Sequence, residues 1–543
     1  MVESLQNARL LPHPQVHCSL VPLSRWPIQK LSKQQASFRK AVAKDAACSL
    51  LNRCATADDL DTLLQDTRAA ELERLARKPW KTDPVDEILF WRNLCTSNKA
   101  SPLVLETILQ RYLHEMQGKF SSSYYHMARM LVRSTLSALL NPHVQGLINV
   151  CTLKTQLGQR LQLMGPTHSL QRLSDIGTLV IVPTHQSHMD SLAIAWANYL
   201  LGLPHLMYGA GLNLYAHPLA ALFLRKLGAY AIDRRKKNVI YLTLLKSYAR
   251  LALEWGCNSL FYPGGTRSRS GALESQLKLG LLGAALEAQH RQQAESKNGM
   301  RHIFIVPAVI SYHCVWEAPE LIQHHALAQG YAATRGTRGP SRWQCLRQLF
   351  TTESSIVVSF GTPMDTAGHR VDDAGHRCNV PHQSAATQAL CSPPDLKMHT
   401  QRLGYALQKA YRQSYCALSS HLVAFVVFEW LCQGNPERLL RSKAGTDGVS
   451  LTCSRTEILS CLGRVVAVLR RAASDGTLRI DHIVAQAETT TILEHGVKHL
   501  GVWHARQPLR WRTAQELCVQ DLMLLFYYRN RLTGYEFEKH LYQ

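Results

Sequence analysis

No run of about 18 uninterrupted apolar residues, the length a membrane-spanning helix needs, occurs in this 543-residue chain. The most apolar stretch, His421-Leu-Val-Ala-Phe-Val-Val-Phe-Glu-Trp-Leu431, is short and broken by Glu429, and is expected to be a buried helix. No Cys-x-x-Cys pair occurs among the 15 cysteines, which are scattered from Cys18 to Cys518 with no secretory leader before them. A disulfide framework and a structural zinc site are therefore not expected, and the thiols read as small, buried, reduced side chains of a cytosol-facing protein. Acid is scarce: 39 Asp and Glu stand against 61 Lys and Arg, a formal net charge of +22. That excess implies an acidic partner, whether nucleic acid, an anionic membrane surface or a phosphorylated substrate. From Ser4 to Ala43 there are basic residues and no acid, which reads as a solvated basic arm rather than an organelle transit peptide. No internal repeat is apparent.

What is present is a hydrophobic content of 46%, enough to bury sizeable cores in a chain long enough for two or three domains. Residues from about 30 to 145 read as helices, for example Asp59–Ala76 and Pro102–Gly118, with few β-branched strand candidates. The pattern changes near Gly177. Thr178-Leu-Val-Ile-Val-Pro183 is an apolar run bounded by Gly and Pro, as a strand buried on both faces would be. Similar runs follow at Asn258–Tyr262, Ile303–Ser311 and Ser355–Phe360, separated by helical stretches such as Ser191–Leu201 and Val239–Glu254. This alternation predicts an α/β layer with a central, largely parallel or mixed sheet flanked by helices. Met364 to Lys397 is polar and rich in Gly, His, Pro and Asp, and the pattern then returns to helices. The expected organisation is a helical region over 1–145, an α/β domain over 146–365, a polar and disordered linker over 366–397, and a second helical region over 398–543.

Four segments carry side chains suited to chemistry. The first is Val182-Pro-Thr-His-Gln-Ser-His-Met-Asp-Ser191, where a strand ends and a helix begins. Ligands bind at such strand ends in parallel sheets. A turn from His185 to Asp190 can bring the carboxylate to one imidazole nitrogen and leave the other free, the arrangement a general base needs to take a proton from an alcohol. Two other readings of this segment stay open: a metal site built on His185, His188 and Asp190, and a plain helix start capped by Asp190 or Ser191. The second segment is Phe261-Tyr-Pro-Gly-Gly-Thr-Arg-Ser-Arg-Ser-Gly271, again after a strand. Its glycines admit close backbone approach, and Arg267 and Arg269 offer forked donors for phosphate. It has neither the Gly-Lys-Ser/Thr ending of a nucleotide P-loop nor the Gly-x-Gly-x-x-Gly pattern. The third is Gly228–Asn238, in which Arg234 follows an apolar run and is expected to point into a site, the neighbouring lysines making a solvated basic face. The fourth, Pro307-Ala-Val-Ile-Ser-Tyr-His313, would alone be read as core.

Taken in order, these blocks resemble the four motifs of the glycerolipid acyltransferases, in particular the membrane-associated glycerol-3-phosphate acyltransferases of bacteria. His185-Gln-Ser-His-Met-Asp190 is similar to that family's first motif, His-Arg-Ser-His-Met-Asp. Ala210–Leu214 and Gly228–Arg234, Gly264-Gly-Thr-Arg-Ser-Arg269, Ile305–Tyr312 and the late segment Leu524-Leu-Phe-Tyr-Tyr-Arg-Asn530 match further parts. The spacings of 49, 33 and 40 residues between His185, Arg234, Arg267 and Pro307 keep the blocks in family order. Two positions depart from it: Gln186 replaces Arg, and Gly264 stands where the family carries Glu.

The resemblance implies transfer of a fatty acyl group from acyl-CoA or acyl carrier protein to the sn-1 hydroxyl of glycerol-3-phosphate. His185 would be the base and Asp190 its orienting partner. Arg234 and the loop residues Gly265, Thr266, Arg267, Ser268 and Arg269 would hold the acceptor. Such chemistry needs no metal, no cofactor and no covalent acyl-enzyme. A peripheral place on the cytoplasmic face of an anionic membrane is expected, and nucleic acid is not expected as a partner. Lysophosphatidate or dihydroxyacetone phosphate as acceptor, and a metal-dependent hydrolase, are the alternatives.

Overall fold

The computed structural model of the chain describes residues 22–77, 83, 85–94, 102–140, 160–295, 301–331, 354–378, 393–441 and 451–541. At its centre is a seven-stranded sheet of β1 (Leu161–Met164), β2 (Gly177–Pro183), β3 (Met207–Gly211), β4 (Tyr230–Ile232), β5 (Ser259–Leu260), β6 (His302–Tyr312) and β7 (Ile356–Phe360), in the order β1-β7-β6-β2-β5-β3-β4. Strands β6, β2, β5, β3 and β4 run parallel, while β7 is antiparallel to β6 and carries β1 beside it. Every residue of β2 is buried, which is why its sequence is a continuous apolar run and not an alternating one. The four runs expected to be strands are β2, β5, β6 and β7. The short strands β1, β3 and β4 were not anticipated: β3 is Met-Tyr-Gly-Ala-Gly and β4 has three residues, too little pattern for a period to register.

The basic stretch expected to be a solvated arm is, from residue 22 on, a structural part of the fold. Helices Pro27–Lys33 and Gln35–Leu51 bury Ile28, Leu31, Phe38, Val42, Ala46 and Leu50 in a cluster shared with Tyr241, Leu244 and Tyr248 of helix Val239–Glu254. Lys30, Lys33, Lys40 and Lys44 are exposed along the same helices, so the absence of acid concealed an apolar stripe. Residues 4–21 of that stretch lie outside the described residues.

Two further expectations are corrected in the segment after β7. Asp365-Thr-Ala-Gly-His-Arg370 and Asp372-Asp-Ala-Gly-His-Arg377 are a tandem repeat, and each copy folds into the same turn. Asp365 Oδ1 accepts the amides of Ala367 (3.0 Å) and His369 (2.9 Å), and Asp372 Oδ1 accepts those of Ala374 (2.9 Å) and His376 (2.8 Å). Asp side chains bonding to amides two residues on are the ordinary source of such turns. Residues 366–378 are thus a built edge of the domain rather than a disordered linker, and Met364 bridges to Ile305 of β6. The rest of the expected linker lies outside the described residues up to Pro393, where helix Pro393–Ser414 begins.

The C-terminal region is helical with a small antiparallel sheet of Thr452–Ser454, Glu516–Val519 and Leu509–Thr513. No boundary in the core separates it from the central sheet, since one hydrophobic cluster holds Val180 and Ile305 together with Val423, Leu493 and Tyr528. The apolar stretch noted in the sequence is the buried helix Ser419–Cys432. No helix among the described residues is long and apolar enough to cross a membrane. Seven of the ten described cysteines are buried.

Leu422, Val423, Phe425, Val426, Val427 and Phe428 are all fully buried. At about 1.5–3 kcal/mol per buried side chain, they contribute on the order of 10 kcal/mol, comparable to the whole net stability of a domain. A chain ending at residue 378 is therefore expected to lose cooperative folding. Circular dichroism on heating checks this: a sharp transition in the truncated chain would show that the sheet stands without the C-terminal helices.

Candidate active site

Strand β2 ends at Pro183 and helix Asp190–Leu200 begins after six intervening residues, and the turn between them is organised by one carboxylate. Asp190 is fully buried. Its Oδ2 accepts the amides of Gln186 (2.6 Å) and Ser187 (3.0 Å) and lies 2.8 Å from His185 Nδ1. Its Oδ1 accepts the Tyr312 hydroxyl from the end of β6 at 2.7 Å. A carboxylate only accepts, so Nδ1 carries the ring proton and Nε2 keeps a lone pair. Nε2 has no hydrogen-bond partner among the described residues. Tyr262, from the end of β5, stacks on the His185 ring with centroids 4.2 Å apart and planes 26° from parallel.

The loop after β5 closes on this turn. The Ser268 amide donates to the His185 carbonyl at 2.8 Å, and its hydroxyl is turned back to the Ala272 carbonyl at 2.8 Å. Gly265 has φ +73°, and Gly271 has φ +85° with room for no Cβ, which would sit 2.1 Å from the Tyr527 carbonyl oxygen. The backbone of the loop thus packs directly on helix Leu522–Arg529, and Asn530 Nδ2 donates to the Ser270 carbonyl at 2.9 Å. Arg267 pairs with Glu317 at 3.3 Å. Glu317 also accepts the Ser187 hydroxyl (2.9 Å) and the His188 amide (2.8 Å). Thr266 and Arg269 are exposed at the loop's outer face.

Arg234 follows β4 on the same side of the sheet, three strand positions from β2, a lateral distance of roughly 14 Å at ~4.8 Å per strand. It is exposed. Of its neighbouring lysines, Lys237 is exposed as expected and Lys236 is not. Lys236 is buried with its ammonium 2.6 Å from Glu115, and Arg235 reaches Asp233 at 2.7 Å and Asp83 at 3.1 Å. The structure therefore joins His185, Asp190 and the loop 265–269 in one place, with Arg234 at its edge. His188 Nε2 lies 4.0 Å from Glu317, and no three His, Cys, Asp or Glu side chains among the described residues converge as a metal site.

Four side chains were missed by sequence reasoning: Tyr262, Tyr312, Glu317 and Glu274. The two tyrosines lie inside motif segments and could have been singled out as polar ends of apolar strands. The glutamates had no signal beyond being acids in a basic stretch. Glu274 Oε1 accepts the His185 amide at 2.6 Å. Burial, and behind it the Asp190 charge, push its carboxyl up to about 8, against the pull of that amide.

Residues 166–311, which hold this turn and this loop, match the family model described as Acyltransferase. The chain carries an acyltransferase-family domain. A glycerol-3-phosphate acyltransferase of Xylella fastidiosa (strain M23) is 30% identical over 199 residues, 36% of this chain and 22% of that one. One of Xanthomonas axonopodis pv. citri (strain 306) is 28% identical over 218 residues, 39% and 23% of the two chains. The chain thus spans less than a quarter of the length of either relative. The acyltransferase domain keeps its first motif on a buried carboxylate, and that carboxylate has one donor that can be removed alone. Tyr312→Phe is expected to destabilise the fold by about 1.5–3 kcal/mol, the range for a hydrogen bond to a charged group. Urea denaturation measures it; a midpoint equal to wild type would show that water satisfies Asp190 Oδ1.

Proposed function

We propose that the chain is an O-acyltransferase moving a fatty acyl group from acyl-CoA or acyl carrier protein to the sn-1 hydroxyl of glycerol-3-phosphate. The observation that carries this reading is the Asp190-bound His185, with its free Nε2 beside a loop of arginines. Nε2 takes the proton of the acceptor hydroxyl as its oxygen attacks the thioester carbonyl, and Asp190 stabilises the imidazolium. The C–S bond then breaks, and the imidazolium returns its proton to the leaving thiolate. Arg267, Arg269 and Arg234 hold the acceptor phosphate, fixing the hydroxyl within reach. The Arg267–Glu317 pair keeps that guanidinium in place before the phosphate arrives. The relatives' name supports glycerol-3-phosphate as acceptor, with lysophosphatidate and dihydroxyacetone phosphate sharing the same phosphate chemistry.

His185→Ala and Asp190→Asn are each expected to lower acyl transfer by at least about two orders of magnitude, since both serve one proton transfer. Arg267→Ala should raise the acceptor KM more than the donor KM. Initial rates with labelled acyl-CoA and all three acceptors, with and without chelator, test the reading. Faster transfer to lysophosphatidate would reassign the acceptor, and loss of activity with chelator, restored by zinc, would replace the base by a metal site.

The reading includes a peripheral place on the cytoplasmic face of an anionic membrane. Helix Pro218–Lys226 buries none of its residues, and Leu219 is 75% exposed. Tyr124 meets Phe223 at 5.8 Å and so joins it to helix Ser122–Leu140, on which Met130 is 62% and Leu131 55% exposed. Residues 119–140 and 212–227 contain Lys119, Arg129, Arg133, Arg225 and Lys226 and no acid. An apolar face rimmed by cations fits the surface of an anionic bilayer, where each basic residue adds about 1 kcal/mol and salt screens it. Vesicle sedimentation should show binding to anionic liposomes that falls with salt, and Leu219→Asp with Leu222→Asp should weaken it further. Unchanged binding by that double variant would move the contact elsewhere on the chain.

A further inference from the structure

The loop after β5 presents Gly264 to the acid that follows it in the chain. A Cβ on residue 264 would lie 2.8 Å from both Cδ and Oε1 of Glu274, so the carboxyl group fills the space of a side chain at 264. The glycine is not there for its backbone: Gly265 and Gly271 have positive φ, and Gly264 does not. Two carbon–carbon bonds of ~1.5 Å carry a glutamate's carboxyl carbon ~2.5 Å from its Cβ. A glutamate at 264 would therefore put its carboxyl close to where that of Glu274 lies. One carboxyl site is reachable from two backbone positions, and steric exclusion allows one occupant.

We infer that Glu274 is a positioning residue for the first motif, delivering from outside the motif loop the carboxyl group that holds the His185 backbone. The His185 amide sits just past the end of β2, where the strand ladder no longer supplies an acceptor, and Glu274 Oε1 takes it at 2.6 Å. A buried amide without an acceptor is costly, and its loss here would release the residue that bears the base. Glu274 is held in turn, since the amide of Lys278 donates to the Pro263 carbonyl at 2.7 Å and closes the segment back onto the loop. Glu274 Oε2 is buried with no hydrogen-bond partner. That suits a neutral carboxyl and an environment that resists a second negative charge beside Asp190. The inference rests on His185 being the base.

The test uses the full chain with Glu274→Gln, Glu274→Ala, Gly264→Glu and the double variant Gly264→Glu/Glu274→Ala, read by melting temperature and by steady-state kinetics. Glu274→Ala opens the site and Gly264→Glu overfills it, so each should melt below wild type. The double variant should recover at least half of the larger loss. Glu274→Ala should lower kcat by about 10–100-fold with acceptor KM within about threefold, the signature of a misplaced base rather than a lost binding group. Glu274→Gln keeps the acceptor and should stay within about threefold of wild-type kcat. The pH dependence has a defined sign. A carboxyl raised in the folded state contributes stability at low pH that is lost as pH rises from the unfolded value, 4.5, to about 8. Glu274→Gln should therefore gain on wild type in melting temperature between pH 5 and pH 9. Additive melting losses in the double variant, or unchanged kcat in Glu274→Ala, would overturn the inference. Should Gly264→Glu fail to fold, a pH-independent difference between Glu274→Gln and wild type would overturn it. Melting compensation in a chain that acylates none of the acceptors would leave the carboxyl placement standing and remove the reading of His185 as base.

Discussion

The burial of the Asp190 carboxylate is the constraint on which the site depends. Taking such a group out of water costs several kcal/mol unless fixed donors replace its hydration. Here they are two amides of the turn, the His185 ring and the Tyr312 hydroxyl. The amides impose the curvature of residues 185–190, and the ring is held in one tautomer by the same oxygen. Tyr312 arrives only because β6 lies beside β2 in a fixed register, with Pro183 opposite Ala308. A slip of one residue would turn the hydroxyl to the other face of the sheet. The geometry of the base is therefore a consequence of strand pairing at the centre of the molecule.

The cationic side of the site is set from the other direction. Arg74, Arg235 and Lys236 meet Glu71, Asp83, Glu87, Glu115 and Asp233 in a largely buried network between the N-terminal helices and the turn after β4. Buried charges of this kind add specificity of arrangement more than net stability. Their effect here is to fix the direction of the turn, so that Arg235 and Lys236 point inward and Arg234 outward. The network also gathers several of the chain's few acids into the interior, which leaves the remaining surface more basic than the formal charge alone conveys.

The C-terminal helices complete the domain rather than follow it. Tyr411 donates to the carbonyl of Val182 at 3.0 Å, and His421 Nε2 lies 2.8 Å from the carbonyl of Tyr312. Both contacts end on strands that carry site residues. Gly271 against Tyr527 seats the arginine loop on the late aromatic segment, which gives that segment a physical role in holding the loop. Core, turn and loop thus share one packed interior, and the positions of the functional groups are over-determined by it.

The sequence by itself determined the α/β class and the four main strands, and marked His185 and Asp190 as residues able to pair. Those depend on short-range pattern: continuous apolar runs for buried strands, and a turn of six residues that can bring an imidazole to a carboxylate. It also marked residues 264–269 as a loop for anions, because glycine spacing and paired arginines are local features. Only the tertiary structure decided that residues 22–51 are core, that Lys236 is buried, and that 366–378 is a repeated turn. It alone brought Tyr312 to Asp190, Glu317 to Arg267 and Glu274 into the space beside Gly264. These contacts join residues far apart in the chain through strand order and helix packing, which no window of neighbouring residues encodes. A glycine where a family carries glutamate reads in sequence as a lost carboxyl group. In space it is the vacancy that a carboxyl from another backbone position occupies.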